Sequence, residues 1–65
     1  MNRIRELRQK KHLSQEELAR LLGVDRSAVA KWETETNLPR AEKLLQMAEI
    51  FNCSVDKILN RNSFE

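Results

Sequence analysis

QEELARLLGVDRSAVAKWET, residues Gln15 to Thr34, is the stretch that decides how this chain folds. Ser14 stands just before it and Glu17 three positions later. That is the spacing of a capping box, in which each side chain satisfies one orphan backbone N–H at a helix start. The helix so opened runs over Gln15 to Leu22 and turns Leu18, Ala19 and Leu22 to one side. Gly23 stops it, because the residue just past a helix end often takes a left-handed conformation that glycine adopts without Cβ strain. Asp25 is the expected cap of the next segment, Arg26 to about Thr34, whose inward face is Ala28, Val29 and Trp32. Ala19 is small where the two helices must cross, and Val24 drops an apolar side chain into the angle between them. Val29 and Trp32 anchor the Arg26 to Thr34 helix from below. A bulky replacement of Ala19, or a β-branched residue at Gly23, is expected to damage that angle first.

Three further helical segments flank this unit. Asn2 is expected to cap a helix reaching about Lys11, with Ile4, Leu7 and the stem of Arg8 as its inner stripe. His12 and Leu13 connect it to the quoted stretch. Glu35 to Pro39 reads as a loop, with Leu38 pushed toward extended geometry by the proline that follows. A fourth helix is expected from about Arg40 to Phe51, offering Leu44, Leu45, Met47, Ala48 and Phe51 to the core, and Asn52 closes it. Ser54 caps a short fifth helix carrying Val55, Ile58 and Leu59, after which Arg61 to Glu65 read as a frayed tail. The expected fold is therefore all-α, with five helices in one domain, a core over about residues 3–60 and a tail over 61–65.

Composition fits that reading. With 40% hydrophobic and 34% charged residues, the chain suits a soluble globular domain rather than a disordered one. One Gly and one Pro leave the helix formers Leu, Glu, Lys, Arg, Gln and Ala almost uninterrupted. A single core of this size supplies only about 3–5 kcal/mol, so dimerisation or ligand binding would add usefully to stability. The lone Cys53 excludes an internal disulfide, and no Cys/His cluster is spaced to hold a metal; no cofactor and no small-molecule ligand are expected. Met1 leads directly into charged helix, and no apolar run approaches membrane-spanning length, so a cytoplasmic location is expected. The net charge of +2 permits nucleic-acid binding without demanding it; where the charges stand matters more than their sum.

Two short helices joined by a glycine-containing turn form a helix-turn-helix motif. The chain resembles the phage repressor and Cro class of such proteins, often called the XRE family. The resemblance runs from about Ile4 to Leu59. It rests on the opening from Arg5 to Ala19, the Gly23-Val24 turn, the Val29-x-x-Trp32-Glu33 run with Pro39 six residues beyond, and the closing Leu45 to Leu59 segment. It implies a compact five-helix, lambda-repressor-like DNA-binding domain whose third helix enters the major groove of double-stranded DNA.

With Ala28, Val29 and Trp32 inward, the third helix turns Arg26, Ser27, Ala30, Lys31 and Thr34 outward. Residues at the start of such a helix reach base edges. Arg26 is the expected reader, since a guanidinium can bond the O6 and N7 of guanine together. Ser27 can donate or accept, Lys31 reaches a base or a phosphate one turn on, and the Ala30 methyl suits a thymine methyl. Gln15 stands at the amino end of the second helix, where free N–H groups favour a phosphate. The resemblance adds Thr34 and Arg40 as backbone or minor-groove contacts, and it pairs Arg8 with Glu33, with Arg8 also facing a phosphate. The chain departs from the family pattern at His12, Glu35 and Arg40, where relatives carry Gly or Asn, Gly, and a capping Ser or Asp respectively. Action as a homodimeric repressor on a two-fold operator is expected, with the fifth helix and tail, including Val55, Ile58, Leu59 and Phe64, as the dimer surface.

Blander readings stand beside these. Trp32, Met47, Phe51 and Cys53 read as packing residues, His12 as a turn residue, and the basic run Arg3, Arg5, Arg8, Lys10, Lys11 as a solvated face or a DNA-facing one. An alternative function is a protein-interaction module, an antitoxin or antirepressor on the same scaffold. An enzyme is not expected: there is one His, one Cys and no Tyr, and Glu16 and Glu17 point to different faces of their helix.

Overall fold

The helix boundaries follow from local capping chemistry. In a computed structural model, which describes residues 2–60, α1 (Ile4–Lys10), α2 (Gln15–Leu22), α3 (Arg26–Glu33), α4 (Ala41–Phe51) and α5 (Val55–Leu59) account for all regular structure among the described residues. The Ser14 hydroxyl accepts from Glu17 N–H at 3.0 Å while Glu17 Oε1 accepts from Ser14 N–H at 2.8 Å, completing the expected capping box. Ser54 likewise accepts from the Lys57 N–H.

Two expected caps work differently. Asp25 holds the N-cap backbone of α3, but its carboxylate bonds no helix N–H. The amide it would take, that of Ala28, donates to the Asp25 carbonyl instead, at 3.0 Å. The nominal N-cap of α1 is Arg3, not Asn2; Asn2 nevertheless supplies the acceptor, its Oδ1 receiving the Ile4 N–H at 3.0 Å.

Each of the five helices is followed by a residue in the left-handed region: His12, Gly23, Glu35, Asn52 and Asn60. After α1 through α4 the chain closes the same way. The next amide reaches five residues back, as Leu13 N–H to Arg8 O, Val24 to Ala19, Thr36 to Lys31 and Cys53 to Ala48, all at 2.9–3.1 Å. This is the Schellman closure, which satisfies carbonyls that a helix end would leave bare. Only one of the five left-handed residues is glycine.

Packing puts Ile4, Leu7, Leu18, Ala19, Leu22, Val29, Trp32, Met47, Phe51 and Ile58 in one continuous core. α2 lies across α3 and touches α4, while α1 bridges α3 and α5. Three polar ties hold the layers in place. The Arg3 N–H donates to Ile58 O at 2.8 Å, Lys43 Nζ to Leu22 O at 2.7 Å, and Asn2 Nδ2 to Trp32 O at 2.9 Å.

Two apolar expectations are corrected. Leu45 is 62% exposed, because Leu44, Met47, Ala48 and Phe51 at helical spacing already form the inner stripe, and Leu45 lies about 100° around the helix from Leu44. Ile58 is fully buried and offers nothing to a partner, while Val55 and Leu59 are half-buried. Phe64 and the rest of the expected tail lie outside the described residues. No helix among the described residues is long and apolar enough to cross a membrane.

Candidate nucleic-acid interface

The turn at Gly23 brings the amino ends of α2 and α3 together, and with them Gln15 and Arg26, each the first residue of its helix. Arg26 Nε donates to Gln15 Oε1 at 3.3 Å, and Gln15 Nε2 donates to Glu33 Oε1 at 3.0 Å. Glu33 also receives Arg8, with Nε to Oε2 at 2.6 Å and Nη2 to Oε1 at 3.3 Å. Arg8 Nη1 completes the set on the Leu13 carbonyl at 2.7 Å. The polarity of this chain of bonds is forced. A carboxylate only accepts and a guanidinium only donates, so the Gln15 amide must turn its NH2 to Glu33 and its carbonyl to Arg26.

Burial divides the chain into an anchor and a tip. The Arg8 and Glu33 side chains are 11% and 4% exposed, and the anchor pairs them in bidentate fashion. Gln15 is half-buried and Arg26 is exposed. Arg8 therefore belongs to the inside of the site. Three of its five N–H donors are spent on Glu33 and Leu13, and the charge it brings holds Glu33, which holds Gln15. The Arg8–Glu33 pair itself stands as the resemblance implied.

The outward face of α3 carries Arg26, Ser27, Lys31 and Thr34, all exposed. Ala30 is half-buried, so it sits at the border of that face and not on its crest. The Thr34 hydroxyl reaches back to Ala30 O at 3.2 Å and Lys31 O at 3.3 Å, and meets Thr36 Oγ1 at 2.9 Å. Arg40 is exposed at the start of α4 and lines a shallow cleft with Val24, Trp32, Asn37, Leu38 and Lys43. Its carbonyl, not its side chain, receives the Lys43 and Leu44 N–H groups, as an arginine cap must. In the N-terminal basic run, Arg3 is paired with Glu6 at 3.2 Å, which holds the Glu6 carboxyl below its usual range. That pair behaves as a solvated helix face.

The motif residues occupy the places their sizes require. Ala19 is 2% exposed at the α2–α3 crossing, Val29 is fully buried, Trp32 is 6% exposed and Val24 packs partly buried in the angle. Gly23 adopts φ +70°, and a Cβ added there would meet no atom within 4 Å. The requirement for glycine is thus one of backbone conformation, which a β-branched residue would strain. Sequence reading missed the Gln15–Glu33 and Gln15–Arg26 bonds. Their only trace was that Gln15 and Arg26 each follow a capping residue, which puts both at helix amino ends that the turn then joins.

A family model described as "Helix-turn-helix" matches residues 4–58. The chain is 36% identical over 58 residues to the HTH-type transcriptional activator BcrR of Enterococcus faecalis, covering 89% of this chain and 28% of that protein. It is 35% identical over 57 residues to Repressor protein C2 of Salmonella phage P22, covering 88% of this chain and 26% of that one. Its backbone matches the crystal structure of the P22 c2 repressor in complex with synthetic operator 9T with a TM-score of 0.82 at 35% identity, over 88% of this chain and 86% of that one. The chain spans between 26% and 53% of the length of the curated relatives it matches.

Proposed function

The chain belongs to the helix-turn-helix family, and from that premise we propose that it is a sequence-specific DNA-binding regulator of transcription. The observation that carries this reading is the exposed face of α3. It presents Arg26, Ser27 and Lys31, none of them used by the core, with Arg26 braced through Gln15 to a buried ion pair. A braced guanidinium loses less side-chain freedom on meeting a guanine, and a bidentate contact there is worth about 1–3 kcal/mol of discrimination. α3 lies in the major groove, with Ala30 packing beside the base-reading residues. Gln15, Thr34 and Arg40 hold the phosphate backbone on either side, Arg40 at the groove edge. Arg8 contributes from behind, as the residue that fixes Glu33.

The protein acts as a homodimer on a two-fold site, with half-sites about 34 Å apart. Occupancy of such an operator represses where it overlaps the path of the transcription machinery. The likeness to both an activator and a repressor is consistent with the sign being set by where the operator lies.

Selection of bound duplexes from a random pool at a stated ionic strength tests the reading. An enriched inverted repeat is expected, with affinity falling steeply as salt rises because phosphate contacts release counterions. Arg26→Ala should flatten base preference at one position of each half-site, while Arg40→Ala should weaken all sequences alike and reduce the salt slope by about one. Salt-tolerant binding to protein with no enriched repeat would favour an antitoxin or antirepressor instead.

A further inference from the structure

The exit of α3 is held by a residue from the other end of the chain. Asn2 makes three hydrogen bonds. Its Oδ1 accepts from Ile4 N–H at 3.0 Å and starts α1; its Nδ2 donates to the Trp32 carbonyl at 2.9 Å; its backbone N–H donates to Glu35 Oε2 at 3.0 Å. The last two cross 30 and 33 residues to the final turn of α3. They land at a turn in the left-handed region, since Glu35 adopts φ +63°, which non-glycine residues enter uncommonly. The Trp32 carbonyl also receives the Glu35 N–H at 3.1 Å, so both of its lone pairs are engaged at the point where the helix turns out.

We infer that Asn2 is a positioning residue for the recognition helix: with Glu35 it forms a latch between the start of α1 and the end of α3. The latch has two effects. It fixes the exit turn that carries Thr34 and leads to Arg40, so these side chains keep a constant offset from Arg26. It also draws the Glu35 carboxylate onto the Asn2 amide, away from the phosphate-facing side, where a negative charge would oppose binding. Thr36 and Asn37 N–H groups close on Lys31 O at 2.9 and 3.4 Å, so the amides just beyond the latch report on it. The inference rests on the DNA-binding reading for its consequence and on these bonds for its geometry.

Asn2→Asp separates latch from cap. It keeps an Oδ1 acceptor for Ile4 N–H and the backbone N–H that meets Glu35, but replaces the Nδ2 donor to the Trp32 carbonyl with a carboxylate oxygen. The test uses the full chain with any tag at its carboxyl end, and compares parent, Asn2→Asp, Glu35→Gln and the double variant. The latch predicts faster amide hydrogen exchange at Thr36 and Asn37 in Asn2→Asp, with the urea midpoint nearly unchanged. It predicts affinity for the selected duplex about three- to tenfold weaker, the scale of one lost hydrogen bond. Glu35→Gln should recover part of that loss in the double variant, because it removes one of the two carboxylates that Asn2→Asp brings together. Unchanged exchange at Thr36 and Asn37 overturns the latch; faster exchange with parental affinity overturns its role in positioning. If the parent binds no duplex, the DNA-binding reading has failed, and the exchange comparison still decides the latch.

Discussion

Glu33→Ala removes the hub of the site, and its consequence can be worked out from the geometry. The carboxylate is 4% exposed and accepts three hydrogen bonds, two from Arg8 and one from Gln15. Without it, the Arg8 side chain, 11% exposed in the parent, keeps only the Leu13 carbonyl as an acceptor. Breaking a buried pair from one side costs about 3–5 kcal/mol, because an uncompensated charge is left behind. A core of this size supplies only about 3–5 kcal/mol in total, so Glu33→Ala should leave much of the protein unfolded at 25 °C. Arg8→Met combined with Glu33→Leu removes both charges and fills the space. That double variant should return to within about 1–2 kcal/mol of the parent, or exceed it. It should nonetheless bind DNA less selectively, since Gln15 no longer has an acceptor to set its amide. Urea unfolding followed by the fluorescence of Trp32, the sole tryptophan, reads the stabilities, and duplex selection reads the specificity. A Glu33→Ala cost below about 1 kcal/mol, or a double variant as unstable as the single one, would show that Glu33 does not compensate a buried Arg8 charge.

Other outcomes follow from the helix ends. Gly23→Ala should cost about 1–2 kcal/mol purely through its left-handed φ, with Gly23→Asn milder; thermal melts that place Ala level with Gly would show the conformation to be adaptable. His12→Gly should stabilise by up to about 1 kcal/mol, because relief at φ +59° outweighs the added freedom of the unfolded chain. Ser14→Ala should destabilise by about 0.5–2 kcal/mol through loss of the cap, measured by urea midpoint. Glu17, bonded to the Ser14 amide and hydroxyl, has its carboxyl held below the ordinary glutamate range. A group lowered on folding contributes above its unfolded pKa and loses that contribution as pH falls through its folded one. The stability difference between parent and Glu17→Gln should therefore be full at neutral pH and shrink on acidification, and a difference that grew in acid would contradict the assignment.

The helices could be read from local residues alone, because what starts and stops a helix lies within about four residues of its end. The Ser14–Glu17 box, the α2 boundaries, the left-handed Gly23 and Asn52 and the Ser54 cap were all legible for that reason. The core stripe was legible where periodicity left one choice, as at Leu18, Ala19 and Leu22, and misleading at Leu45, where adjacent leucines competed for one face. The phage-repressor resemblance supplied Arg8 with Glu33, a pair 25 residues apart that no local rule connects. What those residues do together comes from the packing of the helices. It turned Arg8 inward, made Gln15 the link between a buried carboxylate and an exposed arginine, and tied Asn2 to the far end of α3. Such bonds depend on the angle at which helices cross and on which helix amino ends meet, and those quantities are set by the packing of the whole core rather than by any one segment of chain.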